Sequence, residues 1–249
     1  MRNACSGIAH FFCIFGIAFL SVNNELDISP VAYIRNGFSD KFGVPRQPVR
    51  DSRIESRIVF TEPYRVPEAL RGIEGYSHLW LLWGFHNNRR QQWSPTVRPP
   101  RLGGNRRVGV FATRSPVRPN PIGLTVVRLL RVEKTRDGLT LVVSGADMQD
   151  GTPVYDIKPY IAYADAIPDA RCGFVDEVDF PALEVVWQAE CLTVPRVQWE
   201  EILRQDPRPA YQDNPDRIYH IAFSNEDLAF RVEGDRLIVL SVRLDSTNR

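Results

Sequence analysis

From Leu26 to about Asp165 the chain is a succession of short segments rich in β-branched and aromatic residues, each cut off by proline or glycine. Apolar residues hardly ever recur at helical spacing there. SRIVFTE, YSHLWLLWGFH, RVGVFATR, GLTVVRLLRVEK and GLTLVVSGADM are the clearest segments. Their side chains suit a pleated, half-buried surface and their boundaries are turn signals, so the region is expected to be all-β. Strands so closely spaced favour a closed barrel or a sandwich. One helix is expected over PEALRGIEG. A proline- and acid-rich stretch at 166–183 reads as a linker into a small α+β unit, residues 184–249. That unit holds a strand around LEVVWQAECLTV, a helix RVQWEEILRQ after Pro195, the turn-rich DPRPAYQDNPDR and two terminal strands joined at EGDR. With 249 residues, 43% of them hydrophobic, the chain can bury a sizeable core.

Residues 1–25 stand apart. IAHFFCIFGIAFL, at 8–20, follows a single basic residue, contains His10, is too short to span a bilayer and is not followed by a small-x-small cleavage site. The expectation is that translation starts further on, near Leu20 or Val22. Cys5, Cys13, Cys172 and Cys191 are scattered and form no CxxC pair, which points to a reducing compartment and no structural metal.

Charge is distributed unevenly. Between Glu74 and Glu133 no acid occurs, yet there are ten arginines: Arg89, Arg90, Arg98, Arg101, Arg106, Arg107, Arg114, Arg118, Arg128 and Arg131. From residue 132 onward 12 bases face 22 acids. Such a belt suits phosphate, nucleic acid or a carboxylate ligand, unless the acidic C-terminal part neutralises it. No phosphate loop, HExxH, GxSxG elbow or strand-borne GxGxxG is present, which argues against a Rossmann nucleotide site. His78 and His86 are eight apart in a strand-like run; a metal would need further ligands, and a satisfied, half-buried histidine is the plainer reading.

Three clusters interleave prolines with polar residues too densely for simple core strands: FGVPRQP (42–48), TRSPVRPNPIGL (113–124) and DMQDGTPVYDIKPYI (147–161). Proline fixes φ and removes a backbone donor, so these segments hold a set path with free carbonyls. Each alone fits a tight turn. Together with YSHLWLLWGFH they suit the wall of a ligand site.

FGVPRQP, GYSHLWLLWGFH, RPPRLGG, VGVFATRSPVRPNPIGL, DGTPVYDIKPY and the later DPRPAY, in that order, closely resemble the TrmO (TsaA-like, YaeB-like) family. The resemblance covers essentially Leu26 to the C-terminus. It implies a β-barrel catalytic domain with a non-Rossmann site for S-adenosylmethionine, a small C-terminal domain, a homodimer, a cytoplasmic location and no membrane. The implied reaction is methylation of N6 of threonylcarbamoyladenosine at position 37, just 3′ of the anticodon, in threonine tRNA. The family's S-adenosylmethionine contacts fall on Pro45, Arg46, Gln47, His78, Leu79, Arg114, Leu124, Asp150, Gly151, Thr152 and Pro153. Arg46 or Arg114 could pair with the donor's carboxylate and Asp150 with its ammonium or ribose. RNA contacts are expected at Arg118, Asn120, Arg208 and Tyr211. In-line transfer requires alignment more than covalent catalysis; candidates for the catalytic groups are Asp150 and Asp156 as proton acceptors and Tyr155, or Tyr160, as a stacking partner for the base. The rival reading is a non-catalytic RNA-binding barrel that grips phosphates through the arginine belt.

Overall fold

The computed structural model describes residues 27–87, 92–102, 106–136, 138–177, 181–209, 212 and 214–245; the apolar extension of residues 1–25 lies outside them. The strands are β1 (Ala32–Arg35), β2 (Glu55–Phe60), β3 (His78–Gly84), the short β4 (Thr96–Val97) and β5 (Val108–Gly109), β6 (Ile122–Thr135), β7 (Gly138–Ser144) and β8 (Pro153–Pro159). Six of them pair in the order β1-β2-β7-β6-β3-β8, and β8 returns to β1 through Ala32 and Tyr33, giving a closed barrel.

Period-two alternation sets the inside. In β2, Ser56, Ile58 and Phe60 are buried while Glu55 and Arg57 face solvent. Ile34, Ile58, Leu79, Leu81, Leu141, Val143, Met148 and Val154 fill the centre. Strand β6 serves two partners in succession: Ile122–Arg128 pairs with β3, and Arg128–Thr135 pairs with β7. Because β7 ends opposite Arg128, the chain after Ser144 runs alongside the first half of β6 outside the ladder. That unpaired run begins the third proline-rich cluster, and it positions the site described below.

Three local expectations change. RVGVFATR contributes only Val108–Gly109 to a strand, because Thr113 returns both its N–H (3.1 Å) and its hydroxyl (2.8 Å) to the Val110 carbonyl and curls the chain. PEALRGIEG is not one helix but two 3-10 turns, Pro67–Leu70 and Ile73–Gly75, separated by Gly72 at φ 86. TPVYDIKPY, expected as an irregular wall, supplies β8, the strand that closes the barrel.

After one helical turn, α1 (Ala162–Asp165), and the intervening segment, the C-terminal part forms β9 (Glu184–Trp187), α2 (Arg196–Leu203), β10 (Tyr219–Phe223), β11 (Glu226–Glu233) and β12 (Arg236–Leu244). The sheet order is β10-β11-β12-β9, with β9 parallel to β12. Trp199, Ile202 and Leu203 of α2 pack on Ile221, Phe223, Leu228 and Phe230. The same core contains Phe38 and Ile54 from the connection between β1 and β2. The Phe38 and Phe223 rings are 4.8 Å apart, and Ser224 N–H donates to the Gly37 carbonyl at 2.7 Å. Glu201 of α2 accepts from the Ser52 hydroxyl and, at 2.7 Å, from the Arg53 N–H. Residues 36–54 therefore belong to the C-terminal core as much as to the barrel.

Candidate functional site

That shared connection carries the PRQ segment, and two distant clusters meet on it. Gln47 Nε2 donates to the Arg46 carbonyl at 2.6 Å, which turns its Oε1 toward Arg114; Arg114 Nη1 donates to it at 2.9 Å. The Arg46 guanidinium donates to the Arg208 carbonyl. The PRQ segment, TRSPVRPNPIGL and DPRPAY thus converge.

Asp150 to Pro153 form the turn that feeds β8. Asp150 accepts from Asn36 N–H at 3.0 Å and from Arg35 Nη1 at 3.3 Å, and its own N–H reaches the Phe38 carbonyl at 2.9 Å. Gly151, at φ 77, occupies a backbone region that side chains disfavour, and its N–H donates to Ile34. The Thr152 hydroxyl closes on the Gln149 carbonyl at 2.7 Å, and Pro153 pairs with Tyr33.

Two residues that sequence reasoning left aside join this turn. Asn87 Nδ2 donates to Gln149 Oε1 at 2.8 Å, and His86 lies in the field of Asp150. Burial around its ring pushes the His86 imidazole below the ordinary histidine range, against the pull of that carboxylate. His78 and Leu79 are not brought here. They begin β3, six residues from Gly84, or about 20 Å of extended strand. Leu79 is fully buried in the barrel core, so it cannot line an open site, and His78 Nδ1 contacts the Ser77 hydroxyl at 2.9 Å with its ring 6.2 Å from Tyr160. The signal was present in the sequence: His86 sits beside Asn87 and Asn88 where the apolar run ends, whereas His78 heads that run.

Leu124 and Asp156 share a cross-strand row through Leu82 on the barrel's outer face. Asp156 is engaged by Lys158 at 2.8 Å and by the Ile157 N–H at 2.9 Å. Tyr155 lies across the bare backbone of Gly84, where any Cβ would collide with its ring. Tyr160 packs between His78 and Trp80, 5.9 Å from the latter.

One carboxylate that was not among the named site residues opens the third proline-rich cluster. Asp147, on the unpaired run after β7, accepts the Thr125 hydroxyl at 2.7 Å, and Thr125 in turn accepts Trp83 Nε1–H at 2.9 Å. Burial pushes the Asp147 carboxyl above its ordinary range, against the Thr125 hydrogen bond and the charge of Arg114.

Among the expected RNA contacts, Arg118 donates to the Thr113 carbonyl of its own loop at 3.2 Å, and Asn120 is exposed. Arg208 departs from the expectation of a presented phosphate grip. Its Nε and Nη2 both bind Asp206 at 2.9 Å and its side chain is only 11% exposed, so the guanidinium closes its own turn. Tyr211 lies outside the described residues. Within the arginine belt, Arg106 meets Glu177 at 3.2 Å and Arg131 meets Glu55 at 2.7 Å, while Arg128 is exposed. Carboxylates from outside the belt thus neutralise it in part. Among the described residues no group of three or more His, Cys, Asp or Glu could hold a metal ion.

The donor set fits a zwitterionic ligand. A guanidinium held at Gln47 can meet a carboxylate, the half-exposed Asp150 can meet an ammonium, and Leu124 and Leu82 offer apolar surface nearby on β6 and β3.

Comparison with known proteins agrees. Residues 33–166 match the model of the tRNA-methyltransferase O N-terminal domain, and residues 182–245 match that of the TrmO C-terminal domain. The tRNA (adenine(37)-N6)-methyltransferase of Escherichia coli (strain K12) is 40% identical over 221 residues, covering 84% of this chain and 94% of that protein. The protein of the same name from Eikenella corrodens is 49% identical over 172 residues, covering 67% of this chain and 97% of its own. The crystal structure of TrmO from Pseudomonas aeruginosa superposes with a TM-score of 0.67 at 35% identity, covering 88% of this chain and 98% of that one. On the strength of both domain matches and these relatives, the chain belongs to the TrmO family.

Proposed function

We propose that the chain is an S-adenosylmethionine-dependent methyltransferase acting on N6 of adenosine 37 of tRNA. The observation that carries this reading is the convergence of Arg46, Gln47 and Arg114 in a chain of the TrmO family, whose relatives are named for that activity. S-adenosylmethionine, when bound, supplies the methyl group on a sulfonium centre. Arg114 would hold the donor's carboxylate and Asp150 its ammonium or ribose, and transfer would then depend mainly on alignment of donor and acceptor. No covalent intermediate with the protein is needed, and the proton on N6 leaves to an acceptor such as Asp150. Asp156 is the other candidate acceptor; each carboxylate already has a basic neighbour, Lys158 at 2.8 Å for Asp156 and Arg35 at 3.3 Å for Asp150. The finer reading is that the substrate is threonylcarbamoyladenosine in threonine tRNA and that the protein works in the cytoplasm.

A homodimer is part of the same proposal. Ile122 and Leu124 on the outward face of β6 are 39% and 53% exposed, an apolar pair that a second copy would cover. The sequence features behind the rival, a barrel that only binds RNA, are explained by the arginine belt alone, whereas the Arg114–Gln47 pairing answers to a small zwitterion.

The test is nucleoside analysis of tRNA from a strain lacking the gene, with purified protein and S-adenosylmethionine restoring the mark. Loss and restoration of an N6-methyl group at position 37 is expected. A protein that binds tRNA but neither binds S-adenosylmethionine nor restores the methyl group is the RNA-binding rival.

A further inference from the structure

We propose that Asn36, the residue that follows β1, is a positioning residue, which fixes the Asp150 carboxylate in the direction that meets the methyl donor; this rests on the donor site assigned above. Three hydrogen-bonded routes lead from Asn36 to Asp150. The first is direct: the Asn36 N–H donates to Asp150 Oδ1 at 3.0 Å. The second passes through Met148, whose carbonyl, two residues before Asp150, accepts from Asn36 Nδ2 at 2.9 Å. The third passes through Phe38, whose N–H donates to Asn36 Oδ1 at 3.0 Å and whose carbonyl accepts the Asp150 N–H at 2.9 Å. Asn36 Nδ2 also donates to the Ser56 hydroxyl of β2 at 3.2 Å. An asparagine side chain has two donor hydrogens and an acceptor oxygen, and all are used here. Ser56, Phe38 and Met148 are each 1% exposed, so the amide is fastened to the packed interior.

Asp150 itself stays open on one side. Its bond from Asn36 is part-buried, while its bond from Arg35 to Oδ2, at 3.3 Å, is exposed. Oδ1 is therefore the anchored oxygen and Oδ2 the accessible one. An aspartate on a turn otherwise samples several rotamers, and each freedom it keeps weakens its contact with an ammonium or a ribose hydroxyl. Anchoring from the interior removes that freedom before the ligand arrives. Asn36 acts through Asp150 and touches no reacting atom in this account.

The test measures S-adenosylmethionine affinity by calorimetry, well below the melting temperature of each variant, and steady-state methylation of tRNA. Asn36→Ala removes all the amide's bonds. Its Kd and KM for S-adenosylmethionine should rise about tenfold with kcat and the KM for tRNA within about twofold, and in an Asp150→Ala background it should add less than about twofold. Asn36→Ser keeps an acceptor for the Phe38 N–H but is too short to hold the Met148 carbonyl, so a rise of about threefold is expected. A merely structural residue would lower the melting temperature and leave the affinity of the folded protein alone. Wild-type affinity in Asn36→Ala, a loss that adds in full to that of Asp150→Ala, or a fall in kcat at unchanged Kd overturns the proposal. If Asn36→Ala fails to fold, Asn36→Ser decides, and unchanged affinity there overturns it too. Unchanged affinity in Asp150→Ala alone is a distinct result: it removes Asp150 from the donor site and refutes that assignment together with this inference.

Discussion

The barrel and the C-terminal sheet each enclose a carboxylate, and they treat it in opposite ways. In the C-terminal core Glu226 is fully buried and saturated: Thr193 N–H, the Thr193 hydroxyl at 2.7 Å, Val194 N–H at 2.8 Å and Trp199 Nε1–H at 3.0 Å all donate to it. Burial alone would push its carboxyl up, but these donors outweigh that and hold it below the ordinary range. Asp147 has one side-chain hydrogen bond, and burial prevails, pushing its carboxyl up. A carboxylate satisfied from all sides ties strands and loops together. One with fewer donors leaves burial the upper hand. By this contrast Glu226 stabilises the fold, and Asp147 in its ionised form costs it stability.

The largest expected effect follows from Glu226. Its donors come from the loop before α2 and from α2 itself, so Glu226→Ala strands two buried N–H groups, those of Val194 and the Trp199 ring, and frees the part-buried Thr193 N–H, while the Thr193 hydroxyl keeps Asn225 at 3.0 Å. A loss of about 3 kcal/mol is expected, enough to melt the C-terminal part well before the barrel. Because α2 also holds Ser52 and Arg53, the PRQ segment should loosen with it. Differential scanning calorimetry and protection of Gln198–Leu203 amides from hydrogen exchange measure this. A variant with wild-type melting would reduce Glu226 to an ordinary buried acid and dissolve the contrast.

Next in size is Arg114→Ala. Losing a charge-assisted pair to the donor's carboxylate should weaken S-adenosylmethionine binding by about ten- to a hundredfold. Stability should hardly change, since Arg114 is exposed and its partner Gln47 keeps its bond to the Arg46 carbonyl. If instead the melting temperature fell while affinity held, Arg114 would resemble Glu226 in role, a structural tie.

How much of this contrast the sequence disclosed depended on range. Segments in which local pattern and fold agree, such as ESRIVF in β2 and GLTLVVS in β7, declared themselves through alternation and turn residues. The family resemblance also named Arg114, Gln47 and Asp150, and of these the structure brings Arg114 and Gln47 together. What stayed hidden was set by pairing over long separations. DGTPVYDIKPY looked like an irregular wall because its prolines stand at the two ends of β8, the first tolerated at a strand start and the second at its close. His86 was passed over for His78 although it lies beyond β3, which ends at Gly84; one apolar run of sequence leads from one histidine to the other, and the end of the strand within it is not marked. Asp147 follows β7 after Gly145 and Ala146, and nothing local reveals that Thr125 and Trp83 lie across from it. DPRPAY suggested an arginine displayed between prolines, yet Asp206 two residues earlier captures the guanidinium; the AspxArg spacing was visible, and its geometry was not.

The smallest expected effect separates the two carboxylates by sign. Asp147 is held above its ordinary range in the folded state, so the folded protein binds that proton more tightly than the unfolded chain does. Stability then declines as pH rises from the ordinary aspartate value through the folded one, and above both the deficit is constant. Asp147→Asn removes the charge and its burial penalty while still accepting the Thr125 hydroxyl. At pH 7 it should therefore be as stable as wild type or slightly more so, by less than about 1 kcal/mol. Glu226 has the opposite linkage: its contribution is present above the ordinary glutamate value and is lost as pH falls through its lowered folded value. Thermal melts of wild type, Asp147→Asn and Glu226→Gln between pH 4 and 8 should thus diverge in two directions. The gain from Asp147→Asn appears as pH rises, and the deficit of Glu226→Gln shrinks as pH falls. If Asp147→Asn were the less stable protein throughout, Asp147 would be a structural anchor of the same kind as Glu226, and the opposition between the two carboxylates would fall.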